Sequence, residues 1–212
     1  MLFKRSTYRP ENPLFPNRAL KKLVIPLIIE QALAVTVGMV DTIMISSVGE
    51  AAVSGISLVD MINILLINIF AALATGGAVV SSQFIGAQDR ERAKASASQL
   101  LFVTLMASLL LAVAALVFKR PILNVVFGRI EADVMENALT YLMYSALSYP
   151  FLALYNACAA LFRSMGNSRI SMLTSLLMNV INIVGNAILI FGFGMGVAGA
   201  AIATLVSRVV AA

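Results

Sequence analysis

Residues 101–118 read LFVTLMASLLLAVAALVF. Eighteen successive positions carry no charge, and the only polar side-chain atoms are the hydroxyls of Thr104 and Ser108. A stretch of about 20 such residues is what an α-helix needs to cross the hydrocarbon of a bilayer. In that medium the backbone must satisfy its own hydrogen bonds, so the run is a helix and not an open strand. Outward from it, the rest of the chain has the same character. Of the 212 residues 60% are apolar and 12% are charged, against about 25% charged in an ordinary soluble domain. Intrinsic disorder is excluded by the same numbers. With no His and only Cys158, a disulfide scaffold, zinc, haem and iron–sulfur sites lack ligands. Nucleophilic catalysis by a Ser-His-Asp or Cys-His set is excluded as well.

Six apolar runs are expected as membrane-spanning helices, at about 20–48, 51–85, 93–118, 134–165, 170–193 and 197–212. The expected fold class is therefore all-α and integral to the membrane, with membrane lipid as its constant partner. Residues 1–19 contain Pro10, Pro13 and Pro16 and read as an irregular cytoplasmic arm. The first run is too long for a cleavable signal peptide, and no small-residue cleavage site follows it.

The net charge of +5 serves topology here, with no nucleic acid implied. Lys4, Arg5, Arg9, Arg18, Lys21 and Lys22 precede the first span. Arg90, Arg92 and Lys94 follow the second, Arg163 and Arg169 flank the fourth and fifth, and Arg208 is near the C-terminus. These hold twelve of the fifteen basic residues. The opposite loops hold Lys119, Arg120 and Arg129 beside Glu131, Asp133 and Glu136. The positive-inside rule places the N-terminus in the cytoplasm of a cell whose plasma (inner) membrane holds the protein.

Two spans are longer than a bilayer requires. Thirty-five residues at about 1.5 Å each cover roughly 50 Å, so the second span must tilt, protrude or break, with Gly76-Gly77 as the expected weak point. Pro26 and Pro150 are expected to kink the first and fourth spans. The sixth span packs Ala198, Gly199, Ala200, Ala203 and Ser207, which permits close helix contact. The chain stops while that span is still apolar, and is read as an N-terminal fragment.

Polar groups inside a span are functional candidates by default. Asp41 is the sharpest: a carboxylate away from water can exchange a proton or ligate a hard cation, or act as a structural acceptor for a neighbouring helix. Glu30 lies eleven residues earlier on almost the same face, so both can look into one cavity; the alternative is a hydrated place near the interface. Asp60, Asn63 and Asn68 give the second span a polar element, at the interface or against substrate. Asn179, Asn182 and Asn186 share one stripe of the fifth span, where they bridge helices or offer oxygens to a cation. Thr204 is a further oxygen donor. Tyr141, Tyr144, Tyr149 and Tyr155 of the fourth span are packing residues or cavity aromatics for a cation.

Four segments together resemble one family, the multidrug and toxic compound extrusion (MATE) transporters. They are Pro26 with Val40-Asp41-Thr42-Ile43-Met44 and Val48-Gly49-Glu50-Ala51-Ala52; Gly76-Gly77 through Ser82-Gln83-Phe84-Ile85-Gly86-Ala87; Leu161-Phe162-Arg163-Ser164-Met165-Gly166-Asn167; and Asn182-Ile183-Val184-Gly185-Asn186 running into Gly199-Ala200-Ala201-Ile202-Ala203-Thr204. The resemblance covers the N-terminal six-helix lobe of a twelve-helix, two-lobed protein with a central cleft. It implies antiport of cationic amphipathic drugs or metabolites against H⁺ or Na⁺, with no other cofactor. It also implies a cation site at Asp41, Asn182, Asn186 and Thr204 and a hinge at Pro26, while the polar and aromatic residues of the spans themselves offer Glu30, Asn179, Asp60, Asn63 and Tyr141 as substrate or cavity candidates. Many bacterial members carry Asp where this chain has Asn186, which leaves one carboxylate in the set. The missing C-terminal lobe, or a second chain, is the expected partner. Two rival readings are a lipid-linked oligosaccharide flippase of the same superfamily, which calls for basic residues facing the cleft, and a non-transporting membrane module that pairs with a partner chain.

Overall fold

The computed structural model describes residues 17–212. The expected arm therefore lies almost wholly outside the described residues. Six long apolar elements follow: α1 (Asn17–Ser46), α2 (Glu50–Gly86), α3 (Arg90–Val117), α5 (Ala132–Ser164), α6 (Ser168–Asn186, continued by a π-helical turn Ala187–Gly192) and α7 (Gly196–Ala211). Their bounds fall within three residues of the expected spans. A seventh element, α4 (Lys119–Phe127), stands where the sequence promised only a loop. Leu123 of α4 is fully buried, whereas Val125 and Val126 are exposed, so this short helix is laid on its side at the end of the lobe.

Connections at one end comprise residues 47–49, α4 with its flanks, and residues 193–195. The other end carries residues 87–89 and 165–167, with most of the arginines and lysines around them, and is called the basic end below. There Asp89 caps α3 by accepting from the Arg92 backbone N–H at 3.0 Å, which satisfies one of the donors a helix start leaves open. Gly166, Gly194 and Gly196 take positive φ of 78°, 65° and 53°, as their tight turns require.

α5 is the central helix, packed on α2, α3 and α7, while α6 joins α7 to α1. α1 is an edge helix that touches chiefly α6. Three apolar layers stack along α5. One lies toward α4 (Val59, Leu123, Leu142, Val197), one is central (Phe70, Tyr149, Leu152), and one is near the basic end (Ala74, Leu100, Ala157). Lipid tails are as apolar as leucine, so such layers gain little from burial alone; close packing through small residues holds helices together. A Cβ on Gly55 would lie 2.9 Å from the Val134 carbonyl, and one on Gly199 would lie 3.1 Å from the Leu189 carbonyl.

One expectation about a break is corrected. α2 runs unbroken through Gly76-Gly77. Gly77 serves packing, since a Cβ there would meet the Leu100 side chain. The extra length of α2 is therefore carried by tilt or protrusion. Pro26 and Pro150 lie inside α1 and α5.

The packing makes a contrast that can be measured. Gly55→Val forces α2 away from the α5 backbone and is expected to cost about 1–3 kcal/mol, the range for overpacked cores. A Cβ at Gly76 meets nothing within 4 Å, so Gly76→Ala is expected to be neutral or to stabilise by about 0.5–1 kcal/mol. Thermal unfolding of the two purified variants in detergent checks both signs.

Candidate functional site

α6 sets the site through an inverted amphipathic pattern. Its buried residues are Ser168, Ser171, Ser175, Asn179, Asn182 and Asn186, all polar, while Leu173, Leu176, Leu177, Val180 and Val184 face outward. Spacings of three and four place the six on one stripe. The asparagine part of this seam is legible from its spacing. The serines belong to it too, and the same periodicity would have found them.

At its upper part the seam meets α1 and α7. Asn186 Nδ2 donates to Asp41 Oδ1 at 2.7 Å. The Asn182 amide lies between Asp41 and Thr204. Turned so that its nitrogen faces the carboxylate, it donates to Asp41 Oδ1 and Oδ2 at 3.0 and 3.1 Å, while its oxygen accepts from Thr204 Oγ1 at 3.1 Å. Asn186 Oδ1 is buried and has no hydrogen-bond partner. The four residues Asp41, Asn182, Asn186 and Thr204 are thus brought together from three helices. Asp41 and Thr204 remain partly exposed, whereas both asparagines are buried. The π-helical turn begins at the residue after Asn186, a feature that sequence did not reveal. Such turns recur beside functional positions.

Glu30 faces the same side of α1 as Asp41 but reaches a different part of the seam. Ser171 Oγ donates to its Oε2 at 2.9 Å, Tyr155 OH to its Oε1 at 3.2 Å, and Arg163 Nη1 to Oε1 at 3.5 Å. Glu30 is buried at 8% exposure, so the hydrated interfacial place is not the one it occupies. Its carboxylate is instead fully engaged near the basic end, one turn after Pro26. Asn179 lies between the two clusters, with its Nδ2 unpartnered.

A third group sits between α2, α5 and α7. Asn63 Nδ2 donates to Asp60 Oδ1 at 3.2 Å and to Ser145 Oγ at 3.4 Å, and Tyr149 OH donates to Asn63 Oδ1 at 2.9 Å. Tyr141 and Arg208 are the further neighbours of Asp60, and Arg208 Nη1 donates to Ser148 Oγ at 2.6 Å. Arg208 was counted with the cytoplasmic loops. It is instead inside the lobe, twelve residues or about 18 Å along α7, where Asp60 offsets its charge. Asn68, the remaining polar residue of that span, is exposed and joins no network.

Among the described residues no three acidic or cysteine side chains converge on one point. A cation at Asp41 would therefore be held by one carboxylate together with amide and hydroxyl oxygens, a donor set suited to H⁺ or to a hard monovalent ion.

The chain as a whole is similar to known proteins. The MatE family model matches residues 26–188. The chain is 33% identical over 214 residues to the uncharacterized transporter YisQ of Bacillus subtilis, covering 93% of this chain and 46% of that protein. It is 29% identical to a probable multidrug resistance protein, NorM, of Thermotoga maritima, covering all of this chain and 46% of that protein. A multidrug export protein, MepA, of Staphylococcus saprophyticus is 31% identical over 188 residues, covering 88% of this chain and 41% of that protein. The chain thus spans about half the length of the curated relatives it matches. Among solved structures, a MOP superfamily transporter from Pyrococcus furiosus superposes with a TM-score of 0.86 at 26% identity, over 92% of this chain and 43% of that one. MATE structures in a bent and in a straight conformation superpose with TM-scores of 0.85 and 0.86 at 26% identity, over the same shares of the two chains. With the family model matching most of its length and the lobe matching in three dimensions, the chain belongs to the MatE family of multidrug and toxic compound extrusion transporters.

Proposed function

We propose that the chain is the cation-binding lobe of a multidrug exporter, which expels cationic amphipathic compounds in exchange for H⁺ or Na⁺ and resides in the plasma (inner) membrane with its N-terminus in the cytoplasm. The second lobe, or a second chain, completes the cleft. The observation that carries the reading is the meeting of Asp41 with Asn182, Asn186 and Thr204. The description of the NorM relative as a probable multidrug resistance protein and of the MepA relative as a multidrug export protein supports drug export. The flippase reading is not favoured by these relatives.

The amides give the exchange a physical form. An asparagine can present its N–H to a bare carboxylate or its oxygen to a bound cation. Asn186 shows both capacities at once: its nitrogen holds Asp41 and its buried oxygen is unpartnered. Cation arrival at Asp41 competes with the Asn186 donor and rewards the reversed amide. α1 then loses its tie to α6 at Asp41 and keeps the one at Glu30. α1 is well made to respond. Pro26 leaves the Lys22 carbonyl without its helical donor, and Thr36 and Thr42 each bond back to the carbonyl four residues earlier, at 2.8 and 2.9 Å, a contact that loosens and bends helices. Ion binding and helix shape are linked because the two shapes bind the ion with different affinity.

Three outcomes follow for cells or vesicles holding the transporter. Asp41→Asn is expected to abolish ion-dependent efflux of a fluorescent organic cation at unchanged protein level; efflux that keeps its ion dependence would overturn the assignment. Asn186→Asp restores a second carboxylate and is expected to tighten cation binding about tenfold, or 1.4 kcal/mol, by calorimetric titration. Pro26→Ala leaves the ion ligands intact but shifts the balance between the two shapes of α1, so transport is expected to fall while the purified protein still binds the cation, with an apparent affinity shifted from that of the parent.

A further inference from the structure

At the end of the lobe opposite the basic end, α4 and the start of α5 border an open cavity of about 790 Å³. We propose that it is a binding site for an anionic phospholipid headgroup, phosphatidylglycerol in chemical type, separate from the polar seam and from any transported substrate. Lys119 and Arg120 line it from the first turn of α4. Neither has an ion-pair partner, although the described residues form pairs elsewhere, at Arg92–Asp89, Lys94–Glu91 and Arg163–Glu30. Two adjacent cations without a counterion are costly to hold side by side. They stand at the end of the lobe that is otherwise poor in basic residues, so general topology does not account for them.

The rest of the cavity fits a lipid better than a free anion. Leu139 and Met143 of α5 continue the wall toward the middle of the lobe, offering an apolar track for the first part of an acyl chain. The surroundings are those of a membrane boundary. Phe118, Val125 and Val126 are exposed at 55%, 85% and 57%, and the apolar run of α3 ends at Phe118, against Lys119. α4 lies there as an interfacial amphipathic helix, apolar residues toward the acyl chains and charges toward the headgroups. Glu136 and Thr140 also line the cavity, and both line a second, smaller cavity beside it, so they form the ridge between the two. In that place they suit the hydroxyls of a glycerol headgroup: Glu136 accepts from one, and Thr140 donates or accepts. The phosphate then sits between Lys119 and Arg120, with the guanidinium able to take two of its oxygens.

The test uses the purified chain in uncharged detergent, titrated with dioctanoyl phosphatidylglycerol, dioctanoyl phosphatidylcholine, dioctanoyl phosphatidylethanolamine and inorganic phosphate. Affinity is read by calorimetry and stabilisation by the unfolding midpoint, because a ligand of the folded state raises the midpoint with concentration. Phosphatidylglycerol is expected to bind and stabilise, and the other three to do so far more weakly. Each basic side chain at an anionic lipid contributes about fivefold in affinity, so K119Q/R120Q is expected to weaken phosphatidylglycerol binding about 25-fold by the same measure. The charge-keeping pair K119R/R120K is expected to retain binding, as is R129Q, which removes an exposed charge outside the cavity. Equal binding of phosphatidylcholine or phosphatidylethanolamine overturns the proposal, as does phosphate binding as tightly as the lipid, or a K119Q/R120Q protein that binds as the parent does. A loss of binding in R129Q also overturns it, since surface charge alone would then suffice.

Discussion

Asn186 Nδ2 lies 2.7 Å from a carboxylate oxygen of Asp41, and the arrangement of the lobe depends on contacts of this kind. In hydrocarbon a polar side chain has no water to turn to, so the donors and acceptors of α6 find their partners on neighbouring helices. Ser171 is matched by Glu30 and Arg163, Asn182 by Thr204 and Asp41, and Asn186 by Asp41. Two of these partners are carboxylates on α1. The edge helix is thus fixed to the lobe mainly by hydrogen bonds. Its buried apolar contribution is small, chiefly Val37, Met44 and Ile45, and apolar contact does not distinguish protein from lipid in any case.

The opposite holds at α5. Ala138, Ala146, Ala153 and Ala157 are fully buried, and Gly55 of α2 approaches the α5 backbone too closely to admit a Cβ. Such packing has one good arrangement and resists deformation. The lobe therefore divides into a rigid body of α2, α3, α5 and α7 and an edge helix held by contacts that a change of ligand can make or break. The Asp60–Asn63–Tyr149 network and Arg208 belong to the rigid body. Within it Asn63 joins Asp60 to Tyr149 and Ser145, and Arg208 reaches Ser148.

Most of this division was readable from sequence where the signal was length or period. The six spans announce themselves because about 20 uncharged residues have few other uses. The stripe of Asn179, Asn182 and Asn186 follows from helical spacing alone. Its convergence with Asp41 and Thr204 did not, and came from the family resemblance. What escaped depends on neighbours that are distant in sequence. α2 continues through Gly76-Gly77 because the backbone in lipid has no alternative partner, and the Leu100 side chain fills the space the glycine leaves. α4 is short and starts with two charges and a proline, so its period is too brief to stand out from a loop. Arg208 looked like a flanking charge because it stands near the end of the chain, and only the fold shows Asp60 and Ser148 waiting for it. The π turn after Asn186 has no local signature at all.

The two carboxylates of α1 differ in one respect that decides their roles. They lie eleven residues apart on one face, about 16 Å along the helix. Glu30 has a cation beside it, Arg163 at 3.5 Å, and two hydroxyl donors, so its charge is compensated in every arrangement that keeps α5 and α6 together. Asp41 has only amide donors, from Asn186 and Asn182. A carboxylate whose burial is offset only by neutral dipoles gains most from acquiring a cation. Glu30, just past the proline, therefore pins the lower part of α1, while the upper part is held at a site whose ligands can be exchanged. Bending of the upper part is then confined to residues 30–41, on the far side of the fixed point from Pro26, where the Thr36 hydroxyl bonds back to the Ala32 carbonyl.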